Sequence, residues 1–262
     1  LIDLSNKSYI TKSEVMILEM LANNNWERPI YYAVTVGNEM YLNMQKYFQL
    51  EGLAYRIVPY KDAPKNGTTN TEIMYNNMMN KFRFGGIDIT KGEIFEDGTE
   101  IIHPTDLYLD ENILRMCRAH RQMFSELINA LIAEGKKEEA KLSFENALRT
   151  RPGWVEAMVD YADLLIGMNK NKEAQDLLSQ AQRLNAEDIN ILNALGKLNL
   201  KRKDYAMAEQ NYQAVLAKNS EDYRALTGMA LVYEKQRKLL DSQMLFEKLE
   251  NFDNENWAEW RL

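Results

Sequence analysis

Cys117 and His120 stand three residues apart, about one helical turn, and both are residue types that ligate transition metals. A metal site needs three or four such ligands. The chain offers one further histidine, His103, and no second cysteine. The pair therefore reads as a packed helix face, and no metal is expected. Carboxylates are abundant, but no two are spaced so that a catalytic separation follows, so acid–base and glycosidase chemistry gain no support. No phosphate-cradling glycine loop and no nucleophile elbow is present. Neither a catalytic residue nor a cofactor is expected. Met20, Met40, Met44, Met74, Met78 and Met79 could form a soft binding surface. Most sit at helical spacing among aromatics, which favours core filling. Trp26-Glu27-Arg28-Pro29 reads either as a ligand-facing loop or as a core Trp26 beside solvated charges.

Residues suited to holding a polypeptide recur with more order. Ser125 and Asn129, Val159 and Asp163, Asn193 and Lys197, and Thr227 and Leu231 recur in step along the chain at one constant interval. Asn190 and Arg224 are related by the same interval. Stacked helices would bring them to one concave wall, giving a candidate protein-binding groove of Ser125, Asn129, Asp163, Asn190, Asn193, Lys197, Arg224 and Thr227. The bland alternative is a set of solvated helix positions.

That interval is set by packing. Ala140, Ala174, Ala208 and Ser242 are small residues 34 apart. Four residues after each comes a large one: Phe144, Leu178, Tyr212 and Phe246. Ala147, Ala181, Val215 and Leu249 follow, and Leu127, Tyr161, Leu195 and Met229 lie upstream in step. Small side chains are needed where two helices approach most closely, and large ones fill the gap to the next pair. Turns are expected at Gly135, Asn169 to Asn171, Lys203 with Asp204, and Gln236 to Lys238. The pattern is that of the tetratricopeptide repeat, a pair of antiparallel helices. Pro152 closes the first copy, while Ala186, Ser220 and Asn254 replace it later; Asn199 stands where Leu131, Leu165 and Tyr233 stand elsewhere. Trp260, one full repeat after Leu226, suggests a capping helix over 255–262. The expected fold is mainly α: a small α/β domain over 1–109, then a tetratricopeptide-repeat α-solenoid of about four repeats plus a capping helix over 110–262.

The chain has 262 residues, 45% hydrophobic and 27% charged, with a formal net charge of -7. That is ordinary globular composition. The acidic balance and the lack of a Lys/Arg cluster argue against nucleic acid. No run approaches the ~18 apolar residues of a membrane span. The chain begins with Leu1, as an excised piece of something longer would.

In the N-terminal part, Thr11 to Glu14 is a capping-box pattern opening a helix that ends at Asn23 to Asn25. Residues 29–36 read as a buried strand. Met40, Tyr41, Met44, Tyr47 and Phe48 are spaced as in a helix ended by Gly52, and 53–58 reads as a second strand. Strand, helix, strand predicts a parallel pair with a right-handed crossover. A loop over 61–69, a short helix over 71–81, an irregular stretch over 82–89 and a hairpin over 93–102 turning at Asp97-Gly98 follow. Asp110 is expected to cap a long helix running into the first repeat.

The segments 23–34, 47–59, 74–82 and 108–112 carry a second likeness, on residues such as Trp26, Arg28, Pro29, Tyr31, Gly52, Pro59, Tyr75 and Asp110. Together they resemble the C-terminal extracytoplasmic part of Bacteroides-type multi-spanning membrane proteins related to protein O-mannosyltransferases. The resemblance spans essentially the whole chain. It implies a non-catalytic soluble domain of a glycosyltransferase-like protein, on the periplasmic side of the inner membrane, tethered through an N-terminal part not in this sequence. Its partner would be an acceptor protein that it recruits or orients. The catalytic carboxylates of such proteins lie in the membrane part, so none maps here. The other reading is a free-standing repeat adaptor mediating protein–protein interactions. A third is an α/β part that is itself a small-molecule-binding or catalytic domain.

Overall fold

The computed structural model describes residues 8–60, 68–82, 90–94, 100–104, 111–151 and 153–250, with backbone alone for 90–94, 100–104, 111–118 and 250. The chain divides into two compact units, Leu1–Thr150 and Arg151–Leu262.

The first unit opens with α1 (Lys12–Asn23). Thr11 is its N-cap: the Glu14 backbone N–H donates to Thr11 Oγ1 at 3.3 Å and the Thr11 N–H donates to Glu14 Oε2 at 2.8 Å. The capping box is thus present, and Glu14 is buried by it. A sheet follows, with β1 (Tyr31–Ala33), β2 (Phe48–Leu50), β3 (Ala54–Ile57) and β4 (Thr68–Thr69) in the order β1-β3-β2-β4.

The topology corrects the expected parallel crossover. β1 pairs antiparallel with β3, and β2 pairs antiparallel with β3. Phe48 belongs to a strand rather than a helix. Two short 3-10 turns, Asn38–Met40 and Gln45–Tyr47, stand where a continuous helix was expected. Leu42 and Asn43 between them have φ of 52° and 55°, a left-handed pair that no right-handed helix can contain. Gly52, at φ 124°, does not end a helix. It lies in the tight β2–β3 hairpin, where the Glu51 N–H donates to the Ala54 carbonyl at 3.0 Å. What stabilises this irregular path is burial. Tyr32, Tyr41, Leu42, Met44, Phe48 and Ile57 form one core. In it the Phe48 ring lies 5.3 Å from Tyr32, 5.0 Å from Tyr41 and 5.4 Å from Tyr55, centroid to centroid.

β4 pairs parallel with β2, at the end of the stretch expected to be a loop; residues 61–67 lie outside the described residues. Helix α2 (Thr71–Tyr75) continues into a π-helical turn, Asn76–Lys81. Met44, Met74 and Met78 are buried, Met40 and Met79 partly so, and Met20 is exposed. Core filling therefore accounts for three of the six. The expected hairpin exists as β5 (Thr90–Ile94) paired antiparallel with β6 (Glu100–Pro104). Its Asp97-Gly98 turn, the Gly85-Gly86 stretch and the Asp110 cap fall outside the described residues.

The long helix α3 (Glu111–Ala133) and α4 (Lys137–Thr150) form the first helical pair, and they belong to this unit. Thr71 at the start of α2 joins them: its hydroxyl donates to Glu134 Oε2 at 2.8 Å and accepts from Lys136 Nζ at 2.9 Å. The Lys136 and Thr71 hydrogen bonds hold the Glu134 carboxyl below its usual range.

The second unit is a run of antiparallel pairs: α5 (Val155–Gly167) with α6 (Asn171–Leu184), α7 (Ile189–Lys201) with α8 (Tyr205–Lys218), and α9 (Tyr223–Lys235) with α10 (Leu239–Glu250). First helices begin at 155, 189 and 223 and second helices at 171, 205 and 239, so both sets advance by the interval read from the sequence. The turn inside every pair uses the same device. Asn169, Lys203 and Arg237 have φ of 60°, 65° and 62°, and Gly135 of the first unit has 75°. The next N–H reaches back five residues: Lys136 to Leu131, Lys170 to Leu165, Asp204 to Asn199 and Lys238 to Tyr233, at 2.8 to 2.9 Å. This closes each first helix with a left-handed residue and satisfies carbonyls its last turn leaves open. Ala140, Ala174 and Ala208 have no exposed surface. Ser242 fits the same slot because its hydroxyl donates to the Ala230 carbonyl at 2.9 Å. The architecture is a tetratricopeptide-repeat solenoid following a small α/β part. The capping segment over 255–262 and Pro152 lie outside the described residues.

Candidate functional site: a cleft lined by the first helices of the repeats

Successive first helices of the second unit leave a cleft of about 160 Å³. Its walls carry Val159 and Asp163 from α5, Asn190, Asn193 and Lys197 from α7, and Arg224, Thr227 and Leu231 from α9. A step of one repeat returns the same helix position in the next pair, so rows of mixed polar and apolar residues face the same space. Six of the eight residues singled out from sequence therefore line one cleft: Asp163, Asn190, Asn193, Lys197, Arg224 and Thr227. Ser125 and Asn129 lie on α3 of the first unit, and neither lines the cleft. The Ser125 hydroxyl is turned to the Arg121 carbonyl, 3.4 Å away.

The polar groups differ in what they offer. Lys197 Nζ stands 3.2 Å from Asp163 Oδ1, an ion pair across α5 and α7 with both side chains about one-third exposed. Such a pair adds little stability but fixes where the two charges sit. The Thr227 hydroxyl donates to the Tyr223 carbonyl at 2.7 Å, so its proton is committed to its own helix. Asn193 is the informative residue. It is 7% exposed, and its Nδ2 donates to Asp222 Oδ1 at 3.2 Å. Asp222 is itself held in place as the N-cap of α9, accepting from the Ala225 N–H at 2.9 Å. An acceptor there fixes which end of the amide is nitrogen. Asn193 Oδ1 is left buried without a hydrogen-bond partner. A buried acceptor without a donor costs about 1–3 kcal/mol, and a ligand N–H would recover it.

The floor was not legible as part of a site. Tyr212 of α8 lies under the cleft, almost fully buried, between Gly196 of α7 and Gly228 of α9. A Cβ on Gly196 would come within 2.6 Å of the ring, and one on Gly228 within 2.2 Å. Both positions must lack a side chain for the ring to fit. Burial, and next the Asp163 charge, push the Tyr212 phenol up from its ordinary range, so it stays a neutral donor and acceptor. The signal for this floor was present: Tyr212 is the polar member among Phe144, Leu178 and Phe246, and it pairs with two glycines.

Beside the cleft on α5, Asp160 is held above its ordinary range by desolvation and then by the Asp163 charge, with Arg224 opposing. A raised carboxylate pKa penalises the folded state once the group ionises. Asp160→Asn is expected to stabilise the second unit modestly at pH 7, by less than about 1 kcal/mol at a solvent-facing position. The gain should shrink to a small remainder as the pH falls below 3.8, the ordinary value, where the wild type becomes mostly neutral at this position in both states. Thermal melts of the two proteins at pH 7 and pH 3.5 check this; a variant less stable at pH 7 would contradict it.

Among the described residues no group of three or more His, Cys, Asp and Glu side chains is arranged to hold a metal; the Cys117 side chain lies outside them. Trp26 is not a core residue: it is 50% exposed with φ 60°, and Glu27, Arg28 and Pro29 are exposed too. Among the described residues no helix is long and apolar enough to cross a membrane.

Comparison with known proteins gives two family matches. Residues 1–76 match the family described as TMEM260-associated domain 2, and residues 131–198 match a tetratricopeptide repeat family. Each covers less than half of the chain. No curated protein matches. Among solved structures, a tetratricopeptide repeat protein from Parabacteroides merdae is similar at 22% identity and a TM-score of 0.46, covering 58% of this chain and 61% of that one. MamA from Desulfovibrio magneticus is similar at 15% identity and a TM-score of 0.44, covering 55% and 88%. YrrB, described as a repeat protein with an unusual peptide-binding site, is similar at 17% identity and a TM-score of 0.42, covering 55% and 77%.

Proposed function

We propose that the cleft of the second unit binds an extended segment of a partner protein, and that the chain is a non-catalytic scaffold. The observation that carries this is the cleft lined by Asn193, whose Oδ1 is a buried acceptor lacking a donor. A main-chain N–H of an extended segment supplies that donor. Val159, Leu200, Tyr212 and Leu231 provide apolar surface for a neighbouring side chain, and Arg224 provides a cation for an acidic one. The lysine and asparagine clamp that holds a C-terminal carboxylate in some repeats is not reproduced, so an internal segment is the expected ligand.

In the wider reading, the scaffold is the extracytoplasmic part of a membrane glycosyltransferase-like protein, and the segment belongs to an acceptor protein that it recruits or orients. The match of residues 1–76 to the TMEM260-associated domain and the likeness of segments 23–34 and 47–59 support this reading. The partner segment is sought by immobilising tiled peptides of surface and periplasmic proteins and measuring binding of the chain. Asn193→Ala is expected to weaken the peptides that bind by roughly fivefold to tenfold, the worth of one recovered hydrogen bond. Melting of the variant checks that the unit is intact. Unchanged affinity in a folded Asn193→Ala protein would remove the cleft from the account. Binders drawn evenly from cytoplasmic control proteins would remove the extracytoplasmic reading while leaving the cleft in place.

A further inference from the structure

The first unit holds a second, larger cavity of about 450 Å³ that the scaffold reading does not use. Its floor is aromatic: Tyr41, Phe48 and Tyr55 line it, with the Phe48 and Tyr55 rings stacked at 5.4 Å and 23°. The Tyr41 hydroxyl is spent on the Val36 carbonyl at 2.8 Å, so that ring offers surface rather than a donor. The rim is polar and comes from four places. Asn38 and Gln45 stand on the two 3-10 turns, Thr68 and Thr69 on β4, and Gln122 and Glu126 one turn apart on α3.

Five of the six rim groups both give and accept hydrogen bonds. Three are side-chain amides, each carrying donors and an acceptor, and two are hydroxyls that do both. No hydrogen bond within the described residues engages the side chains of Asn38, Gln45 or Gln122. Among the described residues Glu126 is the one charged side chain of the lining. Groups that both give and accept suit a ligand whose own groups do the same. The half-buried Tyr55 ring suits a ligand with one flat C–H face. Phosphate or carboxylate ligands are disfavoured, since among the described residues the lining contains no lysine or arginine and does contain a carboxylate.

We infer that this cavity is a binding site for a neutral polyhydroxylated ring, a hexose or a hexose unit of a glycan, with Gln122, Gln45 and Asn38 bonding its hydroxyls and the Tyr55 ring taking its C–H face. The site lies within the first unit, and its ligand is independent of whatever fills the repeat cleft. A ring of twelve heavy atoms at drug-like efficiency gives a dissociation constant on the order of millimolar.

The experiment titrates the full chain with neutral hexoses and, in a second arm, with their methyl glycosides, reading ligand saturation-transfer NMR. Gln122 is exposed on α3, so Gln122→Ala leaves the fold undisturbed and serves as the site variant. Binding in either arm, weakened about fivefold to tenfold by Gln122→Ala, supports the site. A preference for free hexoses assigns a free sugar, and equal or better binding of the glycosides assigns a linked unit. Glu126→Gln keeps hydrogen bonding and removes the charge. Retained binding supports a neutral ligand, and loss of it overturns that class. No binding in either arm up to about 20 mM, well above the expected constant, or binding that Gln122→Ala leaves unchanged, overturns the proposal.

Discussion

Tyr212→Ala is expected to cost the second unit about 3–5 kcal/mol, the usual range for deleting a buried aromatic ring. The ring is held between Gly196 and Gly228, two positions that no other side chain can occupy while it is there. Removing it leaves a void bounded by helix backbone, which cannot close without moving α7 and α9 together. The complementary change sharpens the test. Gly228→Ala places a methyl where the ring stands and is expected to destabilise by about 1–3 kcal/mol, although alanine is the better helix former. In a Tyr212→Leu background the same glycine change should cost far less, because leucine does not reach as far. Denaturant unfolding of the four proteins gives the coupling directly. Additive effects would mean that the ring and the glycine do not touch. The cleft should suffer as well, since Tyr212 is its floor.

The second large effect belongs to the first unit. Phe48→Ala is expected to destabilise it by about 3–5 kcal/mol. Phe48 is 1% exposed and meets three other rings, and it lies in the stretch whose backbone runs through the left-handed Leu42 and Asn43. An irregular path of this sort persists only while packing over-determines it. Amide hydrogen exchange is the appropriate readout. Protection in β2 and β3 should fall by about two to three orders of magnitude, matching the lost free energy. Exchange from α7 and α9 serves as the internal comparison. Unchanged protection of β2 and β3 would show that the aromatic cluster does not hold the sheet. Phe48→Leu should recover a good part of the loss, because it keeps apolar volume without the rings' contacts.

The two units were unequally legible, for a physical reason. In the repeats, position along the chain maps onto position in space by a fixed period, so counting one repeat either way from Asn193 reaches Val159 and Thr227 on the same wall. One register settles the small contacts at Ala140, Ala174 and Ala208, the left-handed turns and most of the cleft. Tyr212 escaped because the same register labels it a filler between pairs, and only the glycines opposite show that it reaches the cleft. The α/β unit has no such period. Met40, Tyr41, Met44, Tyr47 and Phe48 are spaced as a helix would space them, yet they pack by tertiary contact from two 3-10 turns and a strand. Nothing local marks Leu42 as left-handed. Gly52 reads as a breaker, but a glycine that ends a helix and one that turns a hairpin look alike in sequence. The polar cavity was equally hidden, since Asn38, Thr69 and Gln122 come together only through the fold.

Partner binding in the repeat cleft is tested most directly by two-dimensional NMR of the chain during titration with a peptide that binds it. Side-chain amide resonances of Asn193 are the reporter, because that carboxamide is tied to Asp222 through its nitrogen and has a buried oxygen without a donor. The expected result is a saturable shift of the Asn193 side-chain amide with matching shifts in the backbone of Lys197, Arg224 and Leu231. Saturable shifts confined to α6, α8 and α10, with the Asn193 amide unmoved, would contradict it.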